Sequence, residues 1–274
     1  MKTICIELIS KGEKALLAVL DSVVSQDFQD YSIVCVNSST DSHTSDIIKE
    51  AGAELVGFDH STKALNARSI AHEYANGEFS LVLDSTRVLK KGALSALVSQ
   101  YSTYDLTCIK ESSIGQGFWV NQAGMLRDFS EMQATRALNR TSSFILPRFY
   151  RSSLLDKAFG FIKENIPESV FKEISYGEHH LIFECAYKFS KNIGVTDSAM
   201  IEHFEDESFA AIFKKYHWYG RSQRTLNQIP FASSVKKISS HTRMVDLGNL
   251  GSLIRTLPIS FARAIPFFLG YLIA

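Results

Sequence analysis

Apolar residues follow two alternating periods along the first hundred positions. Ile4 to Ile9 is a short apolar run broken only by Glu7, the pattern of a strand covered on both faces. After the break at Ser10-Lys11-Gly12, Leu16, Val19, Leu20 and Val23 recur at the three-and-four spacing of a helix. The unit then repeats. Ser32 to Val36 is apolar and β-branched, Ser38 to Asp41 forms a turn-and-cap cluster, and Ile47-Ile48 sit on a short helix. Glu54 to Phe58 reads as a third strand and Lys63 to Tyr74 as a helix with Leu65, Ile70 and Ala71 inward. Phe79 to Leu83 reads as a buried strand that runs into Asp84. Four such steps predict an α/β fold with a doubly wound, mainly parallel sheet, Rossmann-like, with helices on both faces.

The second half is less regular. Gly115 to Trp119 is a loop rich in glycine and aromatics, a helix is expected near Gln122 to Leu138, and another starts around Gly177 with Leu181, Ile182, Cys185, Ala186 and Phe189 on its apolar face. Ile193 to Val195 and Ala199 to Ile201 read as short strands, and Phe209 to Leu226 as a helix carrying Lys214, Lys215, Arg221 and Arg224. Leu257 to Ala274 is almost uncharged, but Arg263 interrupts it, and Pro258 and Pro266 are expected to break any long helix. It therefore falls short of a spanning segment and can still lie on a membrane. This divides the chain into a main domain over 1–228 and a basic, apolar extension over 229–274.

Composition narrows the class. The 274 residues are 45% hydrophobic and 21% charged, which excludes a disordered or fibrous chain. Lys plus Arg and Asp plus Glu each number 29, so no global field draws in nucleic acid. Cys5, Cys35, Cys108 and Cys185 form no C-x-x-C pair and read as small buried hydrophobes in a reducing cytosol. The N-terminal apolar run is too short for a signal peptide, so a cytoplasmic protein is expected. Residues 231 to 274 carry Lys236, Lys237, Arg243, Arg255 and Arg263 against Asp246 alone, which suits peripheral contact with the inner membrane face.

In a doubly wound sheet, ligands bind beyond the carboxyl ends of the strands. The polar residues there are Asn37 to Asp41 and Asp84-Ser85-Thr86. Two phosphate motifs are excluded, because Gly115-Gln116-Gly117 lacks a third glycine and no G-x-x-x-x-G-K-[ST] occurs.

The order of pieces over residues 3 to 226 resembles the family 2 glycosyltransferases, inverting enzymes of the GT-A fold that move a sugar from a nucleotide sugar to an acceptor. Ile33-Val34-Cys35-Val36-Asn37-Ser38-Ser39-Thr40-Asp41 is similar to that family's V-D-N-S-S-T-D segment under the nucleoside. Leu83-Asp84-Ser85-Thr86 resembles its L-D-S-D metal site with the last aspartate replaced. Lys110 to Trp119, followed by Leu126-Arg127-Asp128, resembles an archaeal-type subgroup. Tyr176-Gly177-Glu178-His179-His180 stands where that subgroup carries G-E-D-x-D, with His179 in place of the catalytic-base aspartate. Ile201-Glu202-His203-Phe204-Glu205 resembles the family's H-x-E element, and Tyr216 to Gly220 its Y-Y-G-like helix.

The resemblance implies a nucleoside diphosphate sugar as donor. Its departing diphosphate needs a divalent cation, Mg or Mn, or cationic side chains. Asp84 and His203 are the implied metal ligands. Because Thr86 offers a neutral hydroxyl, Lys63, Arg68, Arg87, Arg221 and Arg224 are candidates to compensate, with Arg68 and Arg221 placed nearest the pocket by their motifs. Asn37 can donate to and accept from a nucleobase edge, and Asp41 can reach the ribose or cap the following helix. Glu178 opens a helix, where the dipole favours a carboxylate. His179, largely neutral at pH 7, can act as general base. A polyprenyl phosphate acceptor would need no base, since its oxygen is already ionised. The expected function is therefore inverting sugar transfer to a lipid-linked, polyprenyl-phosphate or glycan acceptor. The alternative is a non-catalytic relative that binds a partner, nucleotide sugar or glycan without turnover.

Overall fold

The computed structural model describes residues 2–134, 146–229 and 254–273. The first half follows the expected alternation: β1 (Lys2–Ser10), α1 (Leu16–Val24), β2 (Tyr31–Asn37), α2 (Ser42–Glu50), β3 (Glu54–Gly57), α3 (Ala64–Tyr74) and β4 (Gly77–Asp84). Then come β5 (Arg87–Leu89), α4 (Ala93–Tyr101), β6 (Leu106–Ile114), α5 (Phe118–Ala134), β7 (Pro147–Arg151), α6 (Ser152–Asn165), α7 (Glu168–Phe171), α8 (Glu178–Phe189), β8 (Ile193–Phe204) and α9 (Phe209–Asn227). A last helix, α10, spans Leu257–Ile273.

The eight strands form one sheet in the order β3-β2-β1-β4-β7-β6-β8-β5. The first four run parallel, β7 lies antiparallel between β4 and β6, and β5 closes the far edge antiparallel to β8. The apolar run in β1 serves two cores at once. Ile4, Ile6 and Leu8 pack with Leu16, Val19, Leu20 and Val23 of α1, while Cys5 joins Val34, Val36 and the α3 residues Ala67, Ile70 and Ala71 on the other face. Burying each large aliphatic side chain stabilises the fold by about 1.5–3 kcal/mol. Glu7 points to the α3 face, where His72 Nδ1 lies 2.8 Å from its carboxylate.

Three sequence expectations change. The two short strands after Ile193 are one strand, β8, whose pairing with β6 shifts register near Cys108 to Glu111. The helix expected near Gln122 begins earlier, at Phe118, and positions 135–138 lie outside the described residues. The prolines near the end do not prevent a helix. Pro258 falls in the first turn of α10, where a backbone donor has no intrahelical partner, and Pro266 forfeits one hydrogen bond inside it.

Packing against α9 holds α10 in place. A Cβ on Gly220 would come within 1.9 Å of the Phe267 carbonyl oxygen, and one on Gly270 within 1.9 Å of the His217 carbonyl oxygen. Only glycine lets the two helices approach this closely. α9 and α10 are thus in intimate contact.

Candidate functional site

β1, β2 and β4 end flush, because Ser10 pairs with Asn37 and Ile9 with Asp84. Asn37 and Asp84 therefore sit on one rim of the sheet. The Asn37 side chain accepts from the Ser39 backbone N–H at 3.1 Å and donates to Ser45 Oγ at 3.5 Å, so it shapes the turn leaving β2. Asp41 caps α2, accepting from the His43 N–H at 3.2 Å and from Thr44 Oγ1 at 3.1 Å. That is the capping role its position after a strand allowed.

The rim beyond β4 carries a dense network of arginines and acids. Arg68, from α3, donates to Asp84 Oδ1, to Glu178 Oε1 at 3.3 Å and to the Leu83 carbonyl at 3.3 Å. Its side chain is only 1% exposed, so three acceptors replace the water it has lost. Arg87, three residues beyond Asp84, donates to Asp84 Oδ2 and to Glu111 Oε1 at 2.9 Å. Arg148 of β7 lies 3.4 Å from Asp84 Oδ2 and donates to Glu111 Oε1 at 2.7 Å and to the Val82 carbonyl at 3.3 Å. Burial opposes the charge on Asp84. The guanidiniums of Arg87, Arg68 and Arg148 outweigh it and hold the carboxyl well below the usual carboxylate range.

Glu178 and His179 come from the first turn of α8. Gly177 precedes them in the left-handed region at φ 77°, and a Cβ there would meet Leu226 Cδ1 of α9 at 2.5 Å. That glycine aims both side chains at Asp84. His179 Nε2 lies 2.8 Å from Arg68 Nη2 and 3.3 Å from Arg148 Nη1. Guanidiniums donate and do not accept, so these contacts are hydrogen bonds only with Nε2 unprotonated, while Asp84 Oδ1 and Glu178 Oε1 lie farther off at 3.7 Å. Burial, then the charges of Arg68 and Arg148, push its pKa well below the ordinary histidine value. Burial has the opposite effect on Glu178 and raises its pKa, even with Arg68 beside it.

A second lobe of the network surrounds Arg127 of α5. Arg127 donates to Glu111 Oε2 at 2.6 Å, to Ser113 Oγ at 3.1 Å and to Glu205, and its Nη2 lies 2.9 Å from His203 Nδ1. Burial, followed by the charge of Arg87, brings the His203 pKa down to about 4. Arg263 of α10 reaches the same carboxylate from outside, 3.7 Å from Glu205 Oε2. Glu111 joins the two lobes through Arg87, Arg148 and Arg127.

Of the residues singled out in the sequence, the structure brings together Arg68, Asp84, Arg87, Glu178 and His179. His203 sits in the neighbouring lobe. Arg221 is exposed on α9, and Arg224 lies over the Tyr271 ring of α10. Lys63 immediately precedes α3. Sequence reasoning missed Arg148 and Glu111 as site residues. A signal existed in each: an arginine set among Leu146, Pro147, Phe149 and Tyr150, and a glutamate closing the apolar run before Ser112-Ser113.

Among the described residues, Asp84, Glu178 and His179 form one group whose ligand atoms lie within 4.8 Å of one another, the spacing of a cation site. Their electrostatic surroundings do not suit one. Both Asp84 oxygens, Glu178 Oε1 and His179 Nε2 each face a guanidinium, so a divalent ion among them would have to displace an arginine from every ligand atom. As arranged, these residues do not fit a divalent cation. The guanidiniums are in turn all paired with carboxylates, Arg68 with Asp84 and Glu178, and Arg87 and Arg148 with Asp84 and Glu111.

Residues 4–157, more than half of the chain, match the sequence model of the family described as Glycosyl transferase family 2. Among solved structures, a crystal structure of S. aureus TarS 1-349 is similar over 99% of this chain and 89% of that one, at 20% identity and a TM-score of 0.60. TarS 1-349 in complex with UDP is similar over 98% and 89%, at 19% identity and a TM-score of 0.56. TarS 1-349 in complex with UDP-GlcNAc is similar over 99% and 89%, at 18% identity and a TM-score of 0.54. At such identities the likeness establishes the fold, which is GT-A-like. No curated protein matches the chain. With the family match covering the β1 to β4 half that builds the rim, this chain belongs to glycosyl transferase family 2.

Proposed function

We propose that the chain transfers a sugar, with inversion, from a nucleoside diphosphate sugar to a polyprenyl phosphate or another lipid-linked or glycan acceptor. The observation that carries this reading is the ring of guanidiniums around Asp84 at the carboxyl ends of the parallel strands. In the transfer, the bond from the sugar anomeric carbon to the diphosphate oxygen breaks while a bond to the acceptor oxygen forms. The diphosphate leaves with the electron pair. Arg87, the least buried of the three guanidiniums, is the group set to take up that charge, in the role the family gives to a metal ion. Arg68 and Arg148 are too deeply buried to reach a phosphate, and they orient Asp84 and His179.

Asn37 and the Ser38 to Asp41 turn form the floor under the nucleoside, and the TarS complexes with UDP and UDP-GlcNAc support a uridine donor. Glu178 and His179 stand where the family places its base. His179 Nε2 must leave Arg68 and Arg148 before it takes a proton, which favours an acceptor that brings no proton to remove. A phosphate monoester, with a second pKa near 6, is such an acceptor. Residues 1–228 form the transferase unit in this reading, and 229–274 the extension at the membrane face.

Calorimetric titration with UDP in the presence of EDTA tests the guanidinium site. Binding should persist without metal, gain little from Mn²⁺, and weaken roughly 10- to 100-fold in Arg87→Met. Binding that disappears with EDTA overturns the guanidinium role but leaves transfer standing. Mass spectrometry of a uridine diphosphate sugar incubated with polyprenyl phosphate then tests turnover. Nucleotide binding without any sugar transfer, to lipid or to glycan, would favour the non-catalytic alternative.

A further inference from the structure

α10 has two faces of opposite kind. Ile259, Ala262, Pro266 and Gly270 are buried, and the glycine contacts fix that side against α9. The other side carries Ile254 just before the helix, then Leu257, Phe261, Ile265, Phe268 and Leu272, at steps of three or four residues, all exposed. Phe261 is 58% exposed, Phe268 62% and Leu272 70%. A soluble surface rarely leaves a continuous stripe of this length uncovered.

Charge decides what covers it. From Phe209 to Ile273 the sequence has nine lysines and arginines and one acid, Asp246, a formal +8 in a chain whose total is zero. Lys214, Arg221, Arg224 and Arg255 of this tract are exposed. A second copy docked stripe to stripe would set +8 against +8, whereas an anionic bilayer offers both an apolar layer and opposite charge. Among the described residues no helix is long and apolar enough to cross a membrane. One face of α10 is held by α9, so only the other can meet a bilayer.

We infer that the outward face of α10 is a docking surface for an anionic lipid bilayer, with the α9–α10 pair lying in the interface. Phe261, Ile265 and Phe268 enter the acyl boundary, and the basic side chains meet the head groups. The docking rests on the exposed face and the charge alone. Its service to catalysis rests on the transfer reading: Tyr176, just before Gly177 and Glu178, stacks on Tyr219 of α9 at 4.3 Å and meets Phe267 of α10 at 6.0 Å. A lipid-borne acceptor would thus arrive beside the opening turn of α8.

Flotation of the full chain with vesicles of phosphatidylcholine alone, and of phosphatidylcholine with phosphatidylglycerol, tests the inference. The wild type should float with the anionic vesicles and scarcely with the neutral ones. Ile265→Glu and Phe268→Glu, both at exposed positions, should each reduce flotation at least tenfold while the melting temperature and UDP binding without vesicles stay unchanged. Wild-type protein that fails to float, or variants that float equally well, would overturn it. So would light scattering that shows a dimer in the wild type, dissolved by the same substitutions, with no lipid binding. Because UDP binding is read without lipid, failure here is distinguishable from failure of the transferase reading.

Discussion

Arg68 shows what a buried charge does when every acceptor around it is used. Its guanidinium ties Asp84 to Glu178 and to the end of β4. Arg68→Leu should cost about 3–5 kcal/mol in chemical denaturation, because it leaves buried Glu178 without its arginine and Asp84 with two of three, and Arg68→Lys should recover little, since an ammonium cannot span the same fork. His72 gives a pH signature. Burial opposes its charge, but Glu7 and Asp156 hold its pKa above the ordinary histidine value. The stabilisation is therefore complete below about pH 6.5, the unfolded value, and is lost as pH rises through the folded one. The destabilisation caused by His72→Gln should be larger at pH 6 than at pH 9, and an equal cost at both would discount the ion pair. For His179→Ala, transfer to a hydroxyl acceptor should fall about 10²-fold further than transfer to a phosphate, as compared in paired rate assays. Asp84, Glu178 and His179 were legible in the sequence because they fall at element ends, and Arg68, in the middle of α3, through its motif alone. Arg148 offered only its place among apolar neighbours, since a five-residue strand is too short to show a period.

Among the elements, the first four strands could be read because each apolar run faces two cores and is bounded by turn residues. β7 and β5 are too short for a pattern, and pairing across the sheet determines them. α10 was obscured by its prolines, since its helicity depends on docking against α9 and sequence propensity alone disfavours it. Gly270→Ala should therefore disrupt that docking, at a cost of roughly 1–3 kcal/mol, seen as faster amide exchange across Leu257–Ile273 with β1 to β4 unaffected. Gly177→Ala combines a left-handed backbone with a clash at Leu226, and should loosen the start of α8 and lower nucleotide turnover before it lowers the melting temperature appreciably.

At the scale of the whole molecule, neutrality conceals a separation: the +8 between Phe209 and Ile273 leaves −8 for the rest of the chain. Such a protein should bind a sulfonate resin at pH 7 and low salt despite a sequence pI of about 7.1, and elute as the Debye length shortens toward 8 Å near 0.15 M. Combined Lys214→Glu, Arg221→Glu and Arg224→Glu substitutions should abolish retention, and a triple variant that is still retained would place the positive field elsewhere. The stack of Tyr176 on Tyr219, with Phe267 against its edge, carries this polarity inward. One aromatic ring rests on both outer helices and stands two residues from the first acid of the crevice. A displacement of the α9–α10 pair would therefore press first on the opening turn of α8, which holds Glu178.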